Sequence, residues 1–240
     1  MIGKVEQYLL DKIQEKDTIH FTLVDPDKSS GYDCAKIATK AEKGGSTLAS
    51  QTELDEAVKK IKNNVKIPVI LFPNGPIGVS KYADALWFMS LLNSQNPYYF
   101  IDAQMISAPI VKKHQLEAIP MGYIIAGEGC VAGYIGQARY LSFKHNKLAV
   151  GYSLAAETLG MRFVYLEAGS GAPEPIPPKM IGAVTKYADI PIIVGGGIRE
   201  PNAALAAKKA GASAIVTGTL VEEESEVEDR IREIVKAIAD

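Results

Sequence analysis

The sequence predicts an α/β fold, a single-domain (β/α)8 TIM-type barrel over residues 1–240. The length of 240 residues is close to the ~250 that eight strand–helix units require. Short apolar segments rich in β-branched residues alternate with helical segments, which is the pattern of parallel strands joined by crossover helices. Glycine-rich segments follow the strands of the C-terminal half, where such barrels bind phosphate.

The elements follow in order along the chain. A surface helix comes first, because apolar residues recur near helical spacing from Ile2 to Ile13 among charged ones. Seven strands are predicted at 20–24, 67–72, 85–90, 121–126, 163–166, 190–194 and 212–216. Further helices are predicted at 32–43, 52–63, 102–113, 147–160, 177–187, 200–210 and 225–239. The aromatic connection 131–146 is typical of a functional lid or of a loop folded onto the surface.

The second strand of the barrel is missing from this pattern. Between the helix ending near Lys43 and the helix beginning near Thr52, the chain reads Gly-Gly-Ser-Thr-Leu-Ala-Ser-Gln, with no apolar run. A barrel without an internal strand would expose two unpaired edges. Either the fold is not a closed barrel, therefore, or about eight residues are absent from this stretch.

Charge and cysteine content exclude several classes of protein. The 26 basic and 28 acidic residues are interleaved, so no basic field exists and nucleic acid is not an expected partner. The two cysteines, Cys34 and Cys130, suit small buried side chains in a reducing, cytoplasmic setting. No signal peptide and no apolar run of ~20 residues is present, so a hydrophobic substrate would have to lie in a groove or at a membrane surface.

Three glycine clusters, at 167–171, 195–199 and 217–219, follow consecutive strands. Glycine lets successive backbone amides point at one anion, and helix N-termini beyond such loops add their positive dipole ends. A single cluster also serves as a tight strand-to-helix turn. Three clusters in succession favour a phosphate site.

Two carboxylates stand at predicted strand ends. Asp25 follows the first strand, where it either holds Mg²⁺ jointly with substrate phosphates or only begins the Asp-Pro turn. Glu167 follows the strand at 163–166 and lies beside the first glycine cluster, which makes it a candidate to bind a hydroxyl or to act as general base. Tyr165, two residues earlier, shares its face of the strand.

With these residues in place, the chain resembles the geranylgeranylglyceryl phosphate synthase family, prenyltransferase barrels of archaeal membrane lipid biosynthesis. The resemblance covers nearly the whole chain and is carried by residues 20–26, 88–94, 120–123, 165–171 and 195–199. It implies that the C3 hydroxyl of sn-glycerol 1-phosphate is joined to geranylgeranyl diphosphate, with release of diphosphate and with Mg²⁺ as cofactor. It also implies a homo-oligomer that contacts the membrane surface transiently to release its product.

The family motifs assign roles residue by residue. Tyr165 and Glu167 would be catalytic, and Asp25 and Ser46 would hold the metal. Glycerol 1-phosphate would be bound by Tyr165, Leu166, Glu167, Ala168, Gly169, Ser170, Gly171, Gly196, Gly197, Gly218 and Thr219. The chain departs from the family in lacking the Gly-Thr-Asp-containing strand that precedes the equivalent of Gly44-Gly45-Ser46.

The prenyl chain needs a long apolar groove. Its candidate lining residues, which packing in the core or at a subunit contact explains equally, are Trp87, Phe88, Tyr98, Tyr99, Phe100 and Tyr123. Two other functions stay open. One is a sugar-phosphate isomerase or aldolase, although no predicted strand ends in the lysine that a Schiff base needs. The other is a non-catalytic barrel that binds a phosphorylated ligand.

Overall fold

The computed structural model describes residues 2–24, 43–44, 51–127, 130–218 and 227–239. The strands are β1 Ile19–Leu23, β2 Lys43–Gly44, β3 Ile70–Leu71, β4 Ala85–Leu91, β5 Glu117–Ile125, β6 Phe163–Glu167, β7 Ile192–Gly195 and β8 Ala214–Thr217. The helices are α1 Lys4–Lys16, α2 Gln51–Asn64, α3 Ala103–His114, α4 Val131–Ile135, α5 Asn146–Thr158, α6 Pro178–Thr185, α7 Pro201–Lys209 and α8 Val227–Ala239. A 3-10 turn lies at Pro76–Gly78 and a π-helical turn at Tyr98–Asp102.

The strands form one sheet, and every pair in it is parallel. Their order is β2-β1-β8-β7-β6-β5-β4-β3, so the chain returns next to its first strands after running around the sheet. The two ends of that order, β2 and β3, lie in contact. This is the curled parallel sheet of a (β/α)8 barrel, and it confirms the predicted fold class.

The second strand is present, and its apparent absence from the sequence pattern is corrected here. Lys43 and Gly44 pair in parallel with Thr22 and Leu23 of β1. A ladder is made by backbone groups that lysine and glycine carry as well as valine does, so two residues can pair without an apolar signature. The predicted helix 32–43 lies outside the described residues except for its last position, which belongs to β2.

Alternation along the strands produces two apolar layers. In β6, Phe163 and Tyr165 face the barrel interior, whereas Val164 and Leu166 face the surrounding helices. Phe163, Val164 and Leu166 are at most 1% exposed, so both faces of this strand are covered. The sequence of a strand that is buried on both faces is a continuous apolar run, and this is why the sequence predicts β6 clearly.

Helix α1 closes the end of the barrel at which the strands begin. Val5 and Leu9 pack against the interior layer. The carboxylate of Glu117, the first residue of β5, accepts hydrogen bonds from the backbone amides of Val5 (2.9 Å) and Glu6 (2.7 Å) at the N-terminus of α1. Glu6 itself is fully buried and paired with Arg162. Because this end is closed, the opposite end is the accessible mouth.

Most predicted boundaries agree with the observed ones to within a few residues, with two differences. The predicted strand 67–72 is reduced to Ile70–Leu71. β5 begins at Glu117 rather than at 121, and Pro120 lies inside it. Residues 117–120 pair with β4, whereas pairing with β6 begins only at Met121, so Pro120 lies where β5 is still an edge. None of the helices in the described part of the chain is long and apolar enough to cross a membrane.

Candidate active site

The ends of three neighbouring strands bring the glycine clusters together. Glu167 of β6 is paired with Gly195 of β7, and Gly195 in turn with Val216 of β8. The loops that follow these residues therefore leave the sheet side by side at the open mouth. Parallel strands place all their carboxyl ends at one edge, so clusters up to fifty residues apart in sequence become neighbours.

Glu167 lies at the centre of this edge and is almost fully buried. Its Oε1 accepts a hydrogen bond from the amide of Gly169 at 2.5 Å, and its Oε2 accepts one from the hydroxyl of Tyr123 at 3.1 Å. Burial raises the pKa of Glu167, whereas hydrogen bonds from Gly169, Tyr123 and Tyr165 oppose the increase. The result is a carboxylate held in one orientation in a site that favours taking up a proton.

The two tyrosines beside Glu167 are fixed donors. Burial, followed by the nearby charge of Glu167, raises the pKa of both Tyr123 and Tyr165 well above the usual tyrosine value, so both hydroxyls stay protonated. Phe72 contacts both rings edge-on, with centroids 5.8 Å and 5.5 Å away. The sequence suggested Tyr123 only as part of an apolar groove. The structure adds it to the polar site, because the register of β5 and β6 pairs it with Tyr165.

Several glycines at this edge cannot carry a side chain. A Cβ on Gly195 would lie 1.8 Å from the hydroxyl oxygen of Tyr165, and one on Gly196 would lie 2.4 Å from Oε1 of Glu167. Gly169, Gly196 and Gly197 have φ values of +112°, +81° and +71°, in the region that favours glycine. The clusters therefore both form turns and allow the backbone to approach the polar centre.

The other residues predicted to bind glycerol phosphate fall into three groups. Ser170 and Gly171 are exposed, and Gly218, directly after β8, is half-buried. Leu166 and Ala168 instead turn their side chains into the helix-facing core, so that only their backbone faces the mouth. Thr219 lies outside the described residues.

The two predicted metal ligands, Asp25 and Ser46, also lie outside the described residues. Leu23 and Gly44, which stand two residues before them in the sequence, are paired across β1 and β2. Among the residues that the structure describes, no group of three or more histidine, cysteine, aspartate or glutamate side chains is arranged to hold a metal ion.

The predicted groove aromatics do not form a single surface. Trp87 and Tyr123 belong to the interior layer, Phe88 faces the helices, and Phe100, within the π-helical turn, is 40% exposed. Inside the barrel, next to Tyr165, an apolar cavity remains. It is lined by Phe21, Leu23, Phe72, Trp87, Tyr165, Ile193 and Val216.

A buried histidine lies beside the third glycine cluster. His20 Nε2 and the hydroxyl oxygen of Thr217 are 2.9 Å apart and share a hydrogen bond. Burial lowers the pKa of His20 to about 4, so its imidazole is neutral near pH 7. The sequence did not single out His20, because its partner Thr217 lies 197 residues away in the chain.

Known proteins share the sequence and the architecture of this chain. The sequence profile of the PcrB family matches residues 10–238. The chain belongs to the PcrB family. Relatives of this PcrB chain are named geranylgeranylglyceryl phosphate synthase. The protein from Thermofilum pendens is 47% identical over 99% of this chain and 96% of its own length. The protein from Pyrococcus furiosus is 50% identical over 95% of this chain and 94% of its own.

Solved structures agree with the family assignment. The crystal structure of (S)-3-O-geranylgeranylglyceryl phosphate synthase from Thermoplasma acidophilum, in complex with its substrate sn-glycerol-1-phosphate, matches with a TM-score of 0.94 at 38% identity and covers 100% of this chain and 99% of its own. The wild-type synthase from Thermoplasma volcanium matches with a TM-score of 0.90 at 37% identity, over 96% of this chain and 97% of its own. Thiamine phosphate pyrophosphorylase from Pyrococcus furiosus, with a TM-score of 0.61 at 11% identity over 94% of this chain and 97% of its own, shares the fold alone.

Proposed function

We propose that this PcrB-family chain is a prenyltransferase of archaeal membrane lipid biosynthesis. It joins the C3 hydroxyl of sn-glycerol 1-phosphate to geranylgeranyl diphosphate and releases diphosphate. The observation that carries the proposal is the position of Glu167, a buried carboxylate oriented by Tyr123 and Gly169 at the mouth of a glycine-lined barrel. The relative from Thermoplasma acidophilum, which was solved with sn-glycerol-1-phosphate, supports the same substrate here.

Backbone groups bind the phosphate of glycerol phosphate, and side chains bind its hydroxyls. The phosphate lies against the backbone of the exposed residues Ser170 and Gly171 and of the glycines after β7 and β8, which supplies positive dipole without a charged side chain. The glycerol hydroxyls face Glu167 and Tyr165. An anionic carboxylate so close to phosphate is unfavourable unless a hydroxyl lies between them, which orients the polyol in one direction.

The chemical step needs orientation and a place for one proton. A bond forms between the C3 oxygen and C1 of the prenyl group, while the C1–oxygen bond to diphosphate breaks and its electron pair leaves with diphosphate. The hydroxyl proton passes late to Glu167, whose raised pKa makes it a better base than an exposed glutamate. Tyr123 and Tyr165 donate hydrogen bonds that keep the carboxylate aimed at the hydroxyl.

We further propose that Asp25 and Ser46 hold Mg²⁺. Both are hard oxygen donors of the kind that this cation prefers, and each stands two residues beyond a paired position of β1 or β2. When bound, the ion neutralises the charge that develops on the departing diphosphate.

The family resemblance also supports a cytoplasmic homo-oligomer that touches the membrane surface transiently to release its product. Large apolar side chains exposed on the described surface, among them Met105 (63%) and Tyr134 (87%), are of the kind that interfaces cover. Light scattering tests the oligomer directly, since a monomer mass across the micromolar range contradicts it.

The function is tested by incubating the protein with radiolabelled sn-glycerol 1-phosphate, prenyl diphosphates of several lengths and Mg²⁺. Butanol-extractable label, largest with the geranylgeranyl donor, is the expected result. Tight binding of glycerol phosphate without product from any donor would contradict the proposal and favour a binding-only barrel. If label is extracted only with a shorter or longer prenyl donor, the proposed prenyl substrate is wrong but the proposed type of reaction stands.

A further inference from the structure

The loops after β6 and β7 are packed backbone against backbone. A Cβ on Gly197 would lie 2.7 Å from both the carbonyl carbon and the carbonyl oxygen of Glu174, and one on Gly196 would lie 2.5 Å from the amide nitrogen of Gly169. The two loops are therefore in direct backbone contact, with no room for a side chain between them at these positions. Whatever fixes their separation also fixes the shape of the phosphate site between them.

One side chain joins these two loops. Nη1 of Arg199, after β7, donates a hydrogen bond to the backbone carbonyl of Ala172, after β6, at 2.8 Å and in a partly buried position. Ala172 closes a turn, because its own amide donates to the carbonyl of Gly169 at 3.1 Å. A hydrogen bond from a charged guanidinium to a carbonyl is stronger than one between neutral groups.

The turn 169–172 is thus held at both ends. Its first residue, Gly169, donates its amide to Glu167, and its last residue accepts from Arg199. The two residues between them, Ser170 and Gly171, are exposed, and their backbone lies against the phosphate in the proposed function.

We infer that Arg199 is a positioning residue for glycerol phosphate. It holds the backbone of the turn 169–172 in place and does not itself contact the phosphate. The inference rests on the proposed function for the identity of the ligand. Loss of the guanidinium frees one end of the turn, so the amides of Ser170 and Gly171 must be ordered when phosphate binds. Affinity for glycerol phosphate falls as a result, whereas the prenyl donor and the chemical step are little affected.

The test compares Arg199→Met with Arg230→Met in steady-state assays. Arg230 is a suitable control because its guanidinium pairs with the carboxylates of Glu200 and Glu233 on the surface rather than with a carbonyl of the turn. The expected result for Arg199→Met is a KM for sn-glycerol 1-phosphate raised about tenfold. The KM for the prenyl donor, kcat and the thermal midpoint should stay near wild type, and Arg230→Met should match wild type throughout. An unchanged KM for glycerol phosphate in Arg199→Met would overturn the inference.

Two further measurements make the outcome decisive. If Arg199→Met does not fold, Arg199→Lys replaces it, with a KM raised at least about threefold as the supporting result and an unchanged KM as the contrary one.

Calorimetric titration with sn-glycerol 1-phosphate separates this inference from the proposed function. If binding of glycerol phosphate depends on Arg199 but no prenyl group is transferred, the inference stands and the proposed function is wrong. If prenyl transfer occurs and does not depend on Arg199, the proposed function stands and the inference is wrong.

Discussion

At the scale of single residues, Glu167 combines burial with a charge. Its carboxylate is 7% exposed and is held by the amide of Gly169 and the hydroxyl of Tyr123. These contacts select its orientation, while burial raises its pKa. A group with these properties serves a reaction better than it serves stability, because an ionised carboxylate gains more from water than from a site of this kind.

We predict that Glu167→Gln lowers kcat for prenyl transfer well over tenfold without unfolding the protein. Glutamine still accepts the Gly169 amide hydrogen bond but cannot take up the hydroxyl proton. Steady-state kinetics and far-UV circular dichroism measure the two effects. Glu174→Gln, which neutralises an exposed carboxylate in the adjacent loop, is the matched control. A wild-type kcat for Glu167→Gln would remove the residue from the mechanism.

Gly196→Ala tests whether the glycine cluster serves the site or only the turn. A side chain at this position is strained at φ +81° and also meets the carboxylate of Glu167. Gly160 has nearly the same φ, +84°, but a Cβ there has nothing within 4 Å. Gly160→Ala should therefore lower the free energy of unfolding by roughly 1–3 kcal/mol in urea, and Gly196→Ala should lower it further, because its Cβ also meets the backbone of Gly169. Only Gly196→Ala should raise the KM for glycerol phosphate, and equal kinetics in both variants would contradict a role in binding.

His20 predicts a dependence of stability on pH. Its pKa is about 4 in the folded protein against 6.5 for a free imidazole, so between these values the unfolded chain binds a proton that the folded one does not. The free energy of unfolding should therefore fall by about 2 kcal/mol from this group as pH drops from about 7 to about 4.5.

Urea unfolding of wild type and His20→Gln at both pH values measures that contribution. The variant should lose that part of the pH dependence, whereas His145→Gln, at an exposed histidine, should retain it. Parallel pH profiles for wild type and His20→Gln would show that this imidazole does not titrate between folded and unfolded states as argued.

At the scale of elements, α1 depends on a carboxylate from a distant strand. Glu117 occupies the place of an N-terminal capping group, since Gly3 at the N-cap supplies no side-chain hydrogen bond. We predict that Glu117→Ala lowers the free energy of unfolding by about 1–2 kcal/mol.

Glu15→Ala is the comparison for this cap, because it removes only an exposed pair with Lys12, which is worth about 0.5 kcal/mol or less. Urea unfolding followed by circular dichroism gives both values. Equal losses in the two variants would show that Glu117 does not cap the helix.

At the scale of the whole molecule, the proposed Mg²⁺ site takes one ligand from the segment after β1 and one from the segment after β2. We predict that a chelator abolishes prenyl transfer and that Mg²⁺ restores it. Asp25→Asn should raise the Mg²⁺ concentration for half-maximal activity about tenfold, because it removes a charged ligand. Asp229→Asn, at an exposed ion pair of α8, should have no effect. Full activity in the presence of excess chelator would contradict the proposal.

The amino-acid sequence by itself determined the alternation of strands and helices and the placement of glycines at strand ends. These are local properties, since apolar periodicity decides which face of a strand is covered and glycine decides where the backbone can turn. The same local reading put Tyr165 and Glu167 on one face of β6, as the structure has them. It missed β2, because pairing through the backbone leaves no apolar signature in Lys43 and Gly44.

Only the tertiary structure decided which side chains meet. Tyr123 reaches Glu167 across 44 residues, Arg199 reaches Ala172 across 27, and His20 reaches Thr217 across 197. Each contact follows from the order in which the strands close around the barrel. That order depends on the joint packing of all the strands and helices, so no local pattern in the sequence carries it.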